Sequence, residues 1–362
     1  MSEFNKIEPK CIKDYTLTAL RVLMGQWGNP VYRADQIFLE IYARRRDDFD
    51  VFLTIPKSLR KKLKENFILN STEDYIAKKS SDGTVKYLFK LVNGAAVESV
   101  LIPDYDRNDE DLKRLTLCIS SQVGCALDCA FCATGKLKLM RNLSAGEIVD
   151  QVLNVEKDVG LKITNVVFMG MGEPLQNYDN LVDAIDILTN DKATIIPRKK
   201  ITVSTSGIVP KIEAFAESAK PAKLAISLHA TTNGLRDKLM PVNKKWNIES
   251  LRHAVEIYYR KTKLPITFEY ILFKGLNNSE EDIVRLARFV RSVPSKVNII
   301  PFHDISFTGS DTSWLKPASV EEIEDFVSGL KSKGANAFVR TSAGFDIDAA
   351  CGQLAFSKKK LE

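Results

Sequence analysis

Histidine is scarce in this 362-residue chain, with only His229, His253 and His303 present. A metal centre here must therefore draw mainly on other donors. Cysteine is scarce too, at six, and there is no long apolar run. Nothing approaches the roughly 18 residues expected of a membrane span, and the opening MSEFNKIEPK lacks the apolar core of a secretion signal. The expected setting is the cytoplasm, where thiols stay reduced and clustered cysteines serve metals or redox catalysis more often than bridges. Charge of one sign is in small excess, at net +6. Repeats and low-complexity tracts are absent, and the charged tail SKKKLE reads as frayed.

What is present falls into three patterns. Residues 1–70 carry apolar positions at helical spacing in YTLTALRVL and ADQIFLEIYARR, and their 13 Lys/Arg against nine Asp/Glu supply four of the six excess positive charges. Arg44, Arg45 and Arg46 form one basic cluster and Arg60, Lys61, Lys62 and Lys64 another; such clusters suit phosphate contacts or a solvated helix face. Residues 71–111 change to a β period, with hairpin signals at Asp82-Gly83 and Asn93-Gly94. From residue 112 strands alternate with amphipathic segments: LTLCISS, TNVVFMG, KITVSTS, KLAISLH, ITFEYILF, KVNIIPF and NAFVRTS. Ser144 with Glu147 and Ser319 with Glu322 fit capping boxes, and Gly160 and Gly334 fit left-handed helix ends. The alternation predicts an α/β fold with a parallel sheet, either doubly wound or a barrel.

Three of the six cysteines fall within eight residues, in GCALDCAFCATG. Cys125, Cys129 and Cys132 are an odd number for disulfides and one short of a closed zinc site. Thiolates are the usual iron-sulfur ligands; three on a cubane leave one iron open to a small molecule. A zinc site completed by a histidine, or cysteines that merely pack, are the alternatives. The loop follows a predicted strand, at the end where α/β sheets place their chemistry.

The C-x3-C-x2-C spacing with Phe131 before the last cysteine resembles the radical S-adenosylmethionine (SAM) superfamily. CISSQVGCALDCAFCATG, FMGMGEPL, STSGIVP, AISLHA, LMPVN and GFDIDAACGQL together resemble the RlmN type of RNA adenine methyltransferase. The resemblance implies a partial parallel (β/α)6 barrel over residues 112–350, a small N-terminal helical RNA-binding domain over 1–70, a β-rich linker over 71–111 and a catalytic segment over 351–362. It implies a 4Fe-4S cluster on Cys125, Cys129 and Cys132, and SAM bound by Gly172, Glu173, Ser204, Ser227, Leu228, His229 and Asn298. It further implies that Cys351 accepts a methyl group from one SAM, that a second SAM yields a radical acting on that methyl, that Glu98 accepts the ring proton, and that Cys118 attacks the Cys351 sulfur to release 2-methyladenosine. The implied partners are 23S rRNA, with tRNA as a second RNA, and a reductant such as flavodoxin or ferredoxin, for a monomer that binds no membrane. Pro174 resembles the RlmN type more than the related Cfr type, which methylates C8. His303 stands where the family commonly has Asn, and Cys11 matches nothing. A non-catalytic RNA-binding metalloprotein is the reading from another class.

Overall fold

The computed structural model describes residues 10–105, 112–340 and 342–354, so the charged tail lies outside the described residues. Three helices come first: α1 (Leu17–Gln26), α2 (Tyr32–Tyr42) and α3 (Lys57–Asn66). Thr16 caps α1 by accepting the Ala19 N–H. The apolar stripes meet, burying Leu20, Met24, Ile37, Phe38, Ile41 and Leu63 in a core continuous with that of the following strands. The second basic cluster is partly committed on this surface, with Lys64 paired to Asp50 at 2.5 Å and Lys62 over the Trp27 ring at 4.4 Å.

The expected hairpins form as β1 (Thr72–Lys79), β2 (Val85–Leu91) and β3 (Ala96–Tyr105). They are not a separate layer. β3 is buried at every position from Ala96 to Leu101, so both of its faces are covered. It pairs antiparallel with β4 (Leu112–Cys118), making the meander one side of a ten-stranded sheet.

After β4 come β5 (Gln122–Val123), α4 (Ala133–Lys136), β6 (Arg141–Asn142) and α5 (Ala145–Val159). The remaining units are β7 (Asn165–Phe168), α6 (Tyr178–Leu188), β8 (Ile201–Thr205), α7 (Val209–Ala216), β9 (Lys223–Ser227), α8 (Asn233–Leu239) and α9 (Ile248–Thr262). β10 (Ile266–Leu272), α10 (Glu280–Val290), β11 (Ser295–Pro301), α11 (Val320–Ser332) and β12 (Ala337–Val339) complete the chain. The strands lie in the order β4-β7-β8-β9-β10-β11-β12, each parallel to the next. A doubly wound sheet reverses its order at a switch point. This one never does, so the right-handed crossovers wind it one way into a partial barrel. Six strands carry the barrel and three-residue β12 adds a short seventh.

Both predicted capping boxes form, at the starts of α5 and α11, and Gly160 ends α5 at φ 66°. A third box, Ser279 with Asp282, opens α10; Asp in the place of Glu hid it from the sequence pattern.

α5 is also the dock for the N-terminal helices. Buried Asp150 pairs with buried Lys13 and accepts the Ser71 N–H at 2.8 Å and its hydroxyl at 2.6 Å. Asp14 accepts the Gly146 N–H at 2.9 Å. A Cβ on residue 146 would stand 2.8 Å from that same Asp14 oxygen, so the approach of chain to helix depends on glycine.

Candidate active site

The clustered cysteines occupy the loop between β5 and α4, beyond the C-terminal end of β4. Gly124 turns there at φ 76°, and a Cβ on it would lie 1.7 Å from the Lys138 carbonyl oxygen; only glycine lets the loop fold back on itself. Two bonds anchor the loop from outside, Ala130 N–H to Leu239 O at 2.9 Å and Ala133 N–H to Gly352 O at 2.7 Å. Burial pushes the Cys125 thiol up to about 12 and raises those of Cys129 and Cys132. On Cys129 the neighbouring Cys132 and Cys125 raise it further. Thiols so placed become thiolates when a cation takes the place of the proton, and the donor set suits iron and sulfur. Among the described residues no three His, Cys, Asp or Glu side chains are arranged around a single ion. A cubane does not require that, because each thiolate binds a different iron.

The zinc alternative needs a histidine, and none is offered. His229 is buried, and its Nδ1 accepts the Ile271 N–H at 3.0 Å, which leaves the ring proton on Nε2 and no lone pair for a metal. Burial, with the Arg236 cation nearby, lowers its pKa to about 3. His253 is exposed on α9 and His303 bonds Ser342.

The end of β4 is tied to the turn after β7. Ser120 donates to the Glu98 carbonyl at 2.6 Å and accepts the Met171 N–H at 2.8 Å, while Gln122 Oε1 accepts the Glu173 N–H at 2.8 Å. Gly172 sits in this turn at φ 99°. The Glu173 carboxylate is not idle: it accepts the Ser206 N–H and hydroxyl, both at 2.8 Å, and the Leu175 N–H at 3.1 Å. Burial raises its pKa and these donors oppose the rise, so an incoming ammonium group meets an oriented carboxylate.

Ser227, Glu269 and Asn298 are register partners across β9, β10 and β11. Asn298 Nδ2 donates to Glu269 Oε1 at 2.9 Å. The other oxygen, Oε2, is buried and accepts no hydrogen bond among the described residues, with Arg340 Nη1 3.6 Å away. Ion-paired to Arg340 but with lone pairs to spare, that oxygen can take a hydroxyl or ammonium donor, and SAM carries both. Ser204 lies on β8 opposite Ala225, two residues short of Ser227. Arg236 is wholly buried and donates to the carbonyls of Ser206, Ser227 and Leu228 at 2.6, 3.0 and 3.1 Å; it holds the ends of β8 and β9 together. The Leu228 N–H in turn bonds the Glu269 carbonyl at 3.0 Å.

Cys118, at the end of β4, and Cys351 come within electrostatic reach of each other. Burial, then the neighbouring Cys351, pushes Cys118 up to about 12, and Cys351 also raises Cys132. Arg340 is held charged chiefly by Cys351, with Glu269 and Cys118 adding to it. Val100 of β3 is the register partner of Cys118, which sets Glu98 two residues away. Lys86 Nζ lies 3.5 Å from Glu98 Oε1 and donates to the Asp348 carbonyl at 3.1 Å, joining that carboxylate to the segment that carries Cys351.

Glycines flank Cys351 at Gly344 and Gly352, a composition that favours a loose segment. The structure pins it instead. Asp82, in the β1–β2 turn, accepts the Gly344 N–H at 2.8 Å; Asp346 accepts the Ser81 N–H at 3.1 Å; Thr134 donates to the Leu354 carbonyl at 2.6 Å. Lys86, Ser120, Gln122, Ser206, Arg236, Glu269 and Arg340 escaped the sequence reading, because nothing in their local spacing distinguishes them from ordinary surface or strand polar residues, and Asp82 was legible only as a turn residue.

The Radical SAM superfamily model matches residues 119–287, and the model of the ribosomal RNA large subunit methyltransferase N-terminal domain matches residues 12–69. A probable dual-specificity RNA methyltransferase RlmN of Flavobacterium psychrophilum is 41% identical over 354 residues, covering 97% of this chain and 99% of the relative. The dual-specificity RNA methyltransferase RlmN of Geotalea uraniireducens is 41% identical over 343 residues, covering 95% and 96%. In three dimensions the chain is similar to a radical SAM methyltransferase from Sphaerobacter thermophilus, with TM-score 0.86, 39% identity, and coverage of 96% of this chain and 99% of that one.

Proposed function

The chain belongs to the RlmN family of radical SAM RNA methyltransferases, and from that membership we propose that it methylates C2 of adenosine in 23S rRNA and in tRNA, with a 4Fe-4S cluster and two SAM molecules. When bound, the cluster and SAM supply one-electron chemistry, which an sp2 ring carbon needs because it offers ordinary methyl transfer no nucleophile. Cys125, Cys129 and Cys132 would hold the cluster. Gly172 and Glu173 would take the SAM amino group, with Ser204, Ser227, the backbone of Leu228 and His229, and Asn298 lining the rest.

The chain's own groups then carry the one-carbon unit. Cys351 holds it as S-methylcysteine and delivers it to the ring. Glu98 accepts the C2 proton. The Cys118 thiolate attacks the Cys351 sulfur, forming an S–S bond as the S–C bond breaks and freeing the base. What chiefly supports this reading is that the segment carrying Cys351 docks on the thiol loop and on Lys86, whose ammonium faces Glu98 two places along β3 from the partner of Cys118, an arrangement for which an RNA-binding metalloprotein without catalysis has no use. The helical segment before residue 70 would grip phosphates while an unstacked adenine enters the barrel. We take the protein to be a cytoplasmic monomer that draws electrons from flavodoxin or ferredoxin, as the family resemblance implies; among the described residues no helix is long and apolar enough to cross a membrane.

The experiment is anaerobic reconstitution with iron and sulfide, incubation with SAM, a reductant and unmodified RNA, and mass spectrometry of the nucleosides. 2-Methyladenosine is expected. 8-Methyladenosine alone would overturn the regiochemistry, and no product from a cluster-loaded protein would overturn the assignment.

A further inference from the structure

α5 begins beside the thiol loop and runs 15 residues away from it, roughly 22 Å at the helical rise. At its far end a cavity of about 400 Å³ opens between α5 and the segment that follows α2. Five basic residues line it, Lys13, Arg45, Arg46, Lys157 and Lys162, against two acidic ones, Asp47 and Glu156; with Lys13 already neutralised by Asp150, an excess of two positive charges remains. The carboxylates are engaged. Glu156 takes Arg45 at 2.5 Å, Lys162 at 3.3 Å and the Ile163 N–H at 3.0 Å, and Asp47 takes Lys157 at 2.9 Å.

Two donors on this cavity are not engaged. Arg45 Nη1 and Asn154 Nδ2 are buried, and neither has a hydrogen-bond partner among the described residues. Buried unpaired donors are rare in folded proteins because each forfeits its bonds to water. Arg45 is unusual in its backbone as well. At φ 57° it occupies the left-handed region that long side chains avoid, a strain that collects at ligand sites.

The plainer account is that these cations serve the C-terminal end of α5, where the helix dipole presents about half a negative charge. Two excess charges are more than that end requires. Nor does it use the two idle donors, since the Gly160 N–H closes the helix on the Glu156 carbonyl.

We propose that this cavity is a phosphate-binding site, in which an oxyanion accepts from Arg45 Nη1 and Asn154 Nδ2 while Arg46 and Lys162 balance its charge. The volume exceeds one phosphate and suits a nucleotide or a short stretch of RNA backbone. Both present the same group. The site is independent of the methyl-transfer reading, because binding is measured without SAM or reductant.

The test titrates the full chain with pyrophosphate, with adenosine 5′-diphosphate and with an RNA hairpin at constant ionic strength, comparing wild type with Asn154→Leu and Arg46→Ala. At least fivefold weaker binding is expected in both variants. If pyrophosphate and the nucleotide lose affinity and the RNA does not, the ligand is a free phosphate. If the RNA loses affinity and its salt slope falls by about one, the ligand is a backbone phosphate. Should a variant fail to fold, acetylation of Lys157 and Lys162 in the wild type, followed by mass spectrometry, is expected to slow with pyrophosphate or RNA but not with sodium chloride of equal ionic strength. Unchanged affinities in folded variants, or no ligand-dependent protection in the wild type, overturn the site.

Discussion

Cys118 and Cys351 differ in what surrounds them. Cys118 is buried at the end of β4, whereas Cys351 is half-buried in a segment that packs against the thiol loop. If Cys118 attacks the Cys351 sulfur to free the base, Cys118→Ala leaves the RNA joined to Cys351. The expected outcome is a covalent protein–RNA species in denaturing gels, lost again in Cys118→Ala with Cys351→Ala. Release of methylated RNA at the wild-type rate from Cys118→Ala would remove that thiol from the reaction.

His229 is a residue-scale test of stability rather than chemistry. Its ordinary pKa of 6.5 falls to about 3 in the fold. Between those values the unfolded chain takes up a proton that the folded chain refuses, so stability is full above about pH 6.5 and declines toward pH 3. In His229→Asn the carboxamide oxygen can still accept the Ile271 N–H. Urea midpoints of the metal-free protein between about pH 4 and 6 are expected to depend less on pH in that variant. An equal slope in both proteins would mean that His229 is not the group responsible.

At the scale of elements, the β1–β2 turn holds the C-terminal segment across a long stretch of chain. Asp82 accepts the Gly344 N–H at 2.8 Å and the Thr84 N–H at 2.9 Å. Removing the carboxylate frees one bond to the segment and weakens the turn that presents it, a loss of about 1–3 kcal/mol of local stability. Asp82→Ala is expected to speed hydrogen exchange across residues 344–352 and to lower methylation several-fold, with the visible absorption of the cluster unchanged. If exchange there stays slow, the hold resides instead in Lys86, Thr134 and Ala133.

At the scale of the whole molecule, the N-terminal helices and the barrel meet at a buried ion pair. Taking one partner from such a pair leaves a charge in low dielectric and costs about 3–5 kcal/mol. Asp150→Ala strands Lys13 and also removes the acceptor of Ser71, so chemical denaturation is expected to show a loss of that size. A loss below about 1 kcal/mol would mean that Lys13 reaches water readily, as a surface pair does.

The sequence by itself determined whatever depends on neighbours along the chain. Strand and helix order followed from period 2 and period 3.6, the hairpins from Asp82-Gly83 and Asn93-Gly94, the capping boxes from Ser and Glu three apart, and the thiol loop from cysteines within eight residues. Tertiary structure alone decided what depends on partners far away. Whether the sheet reverses or winds one way is a matter of strand neighbours, which periodicity does not encode. The same holds for the vacant oxygen of Glu269, the Lys86 link from Glu98 to the Cys351 segment, and the idle donors of Arg45 and Asn154. Each is a polar residue of ordinary local pattern, and it becomes distinctive only when folding removes water and leaves its hydrogen bonds to be met, or unmet, by residues dozens to hundreds of positions away.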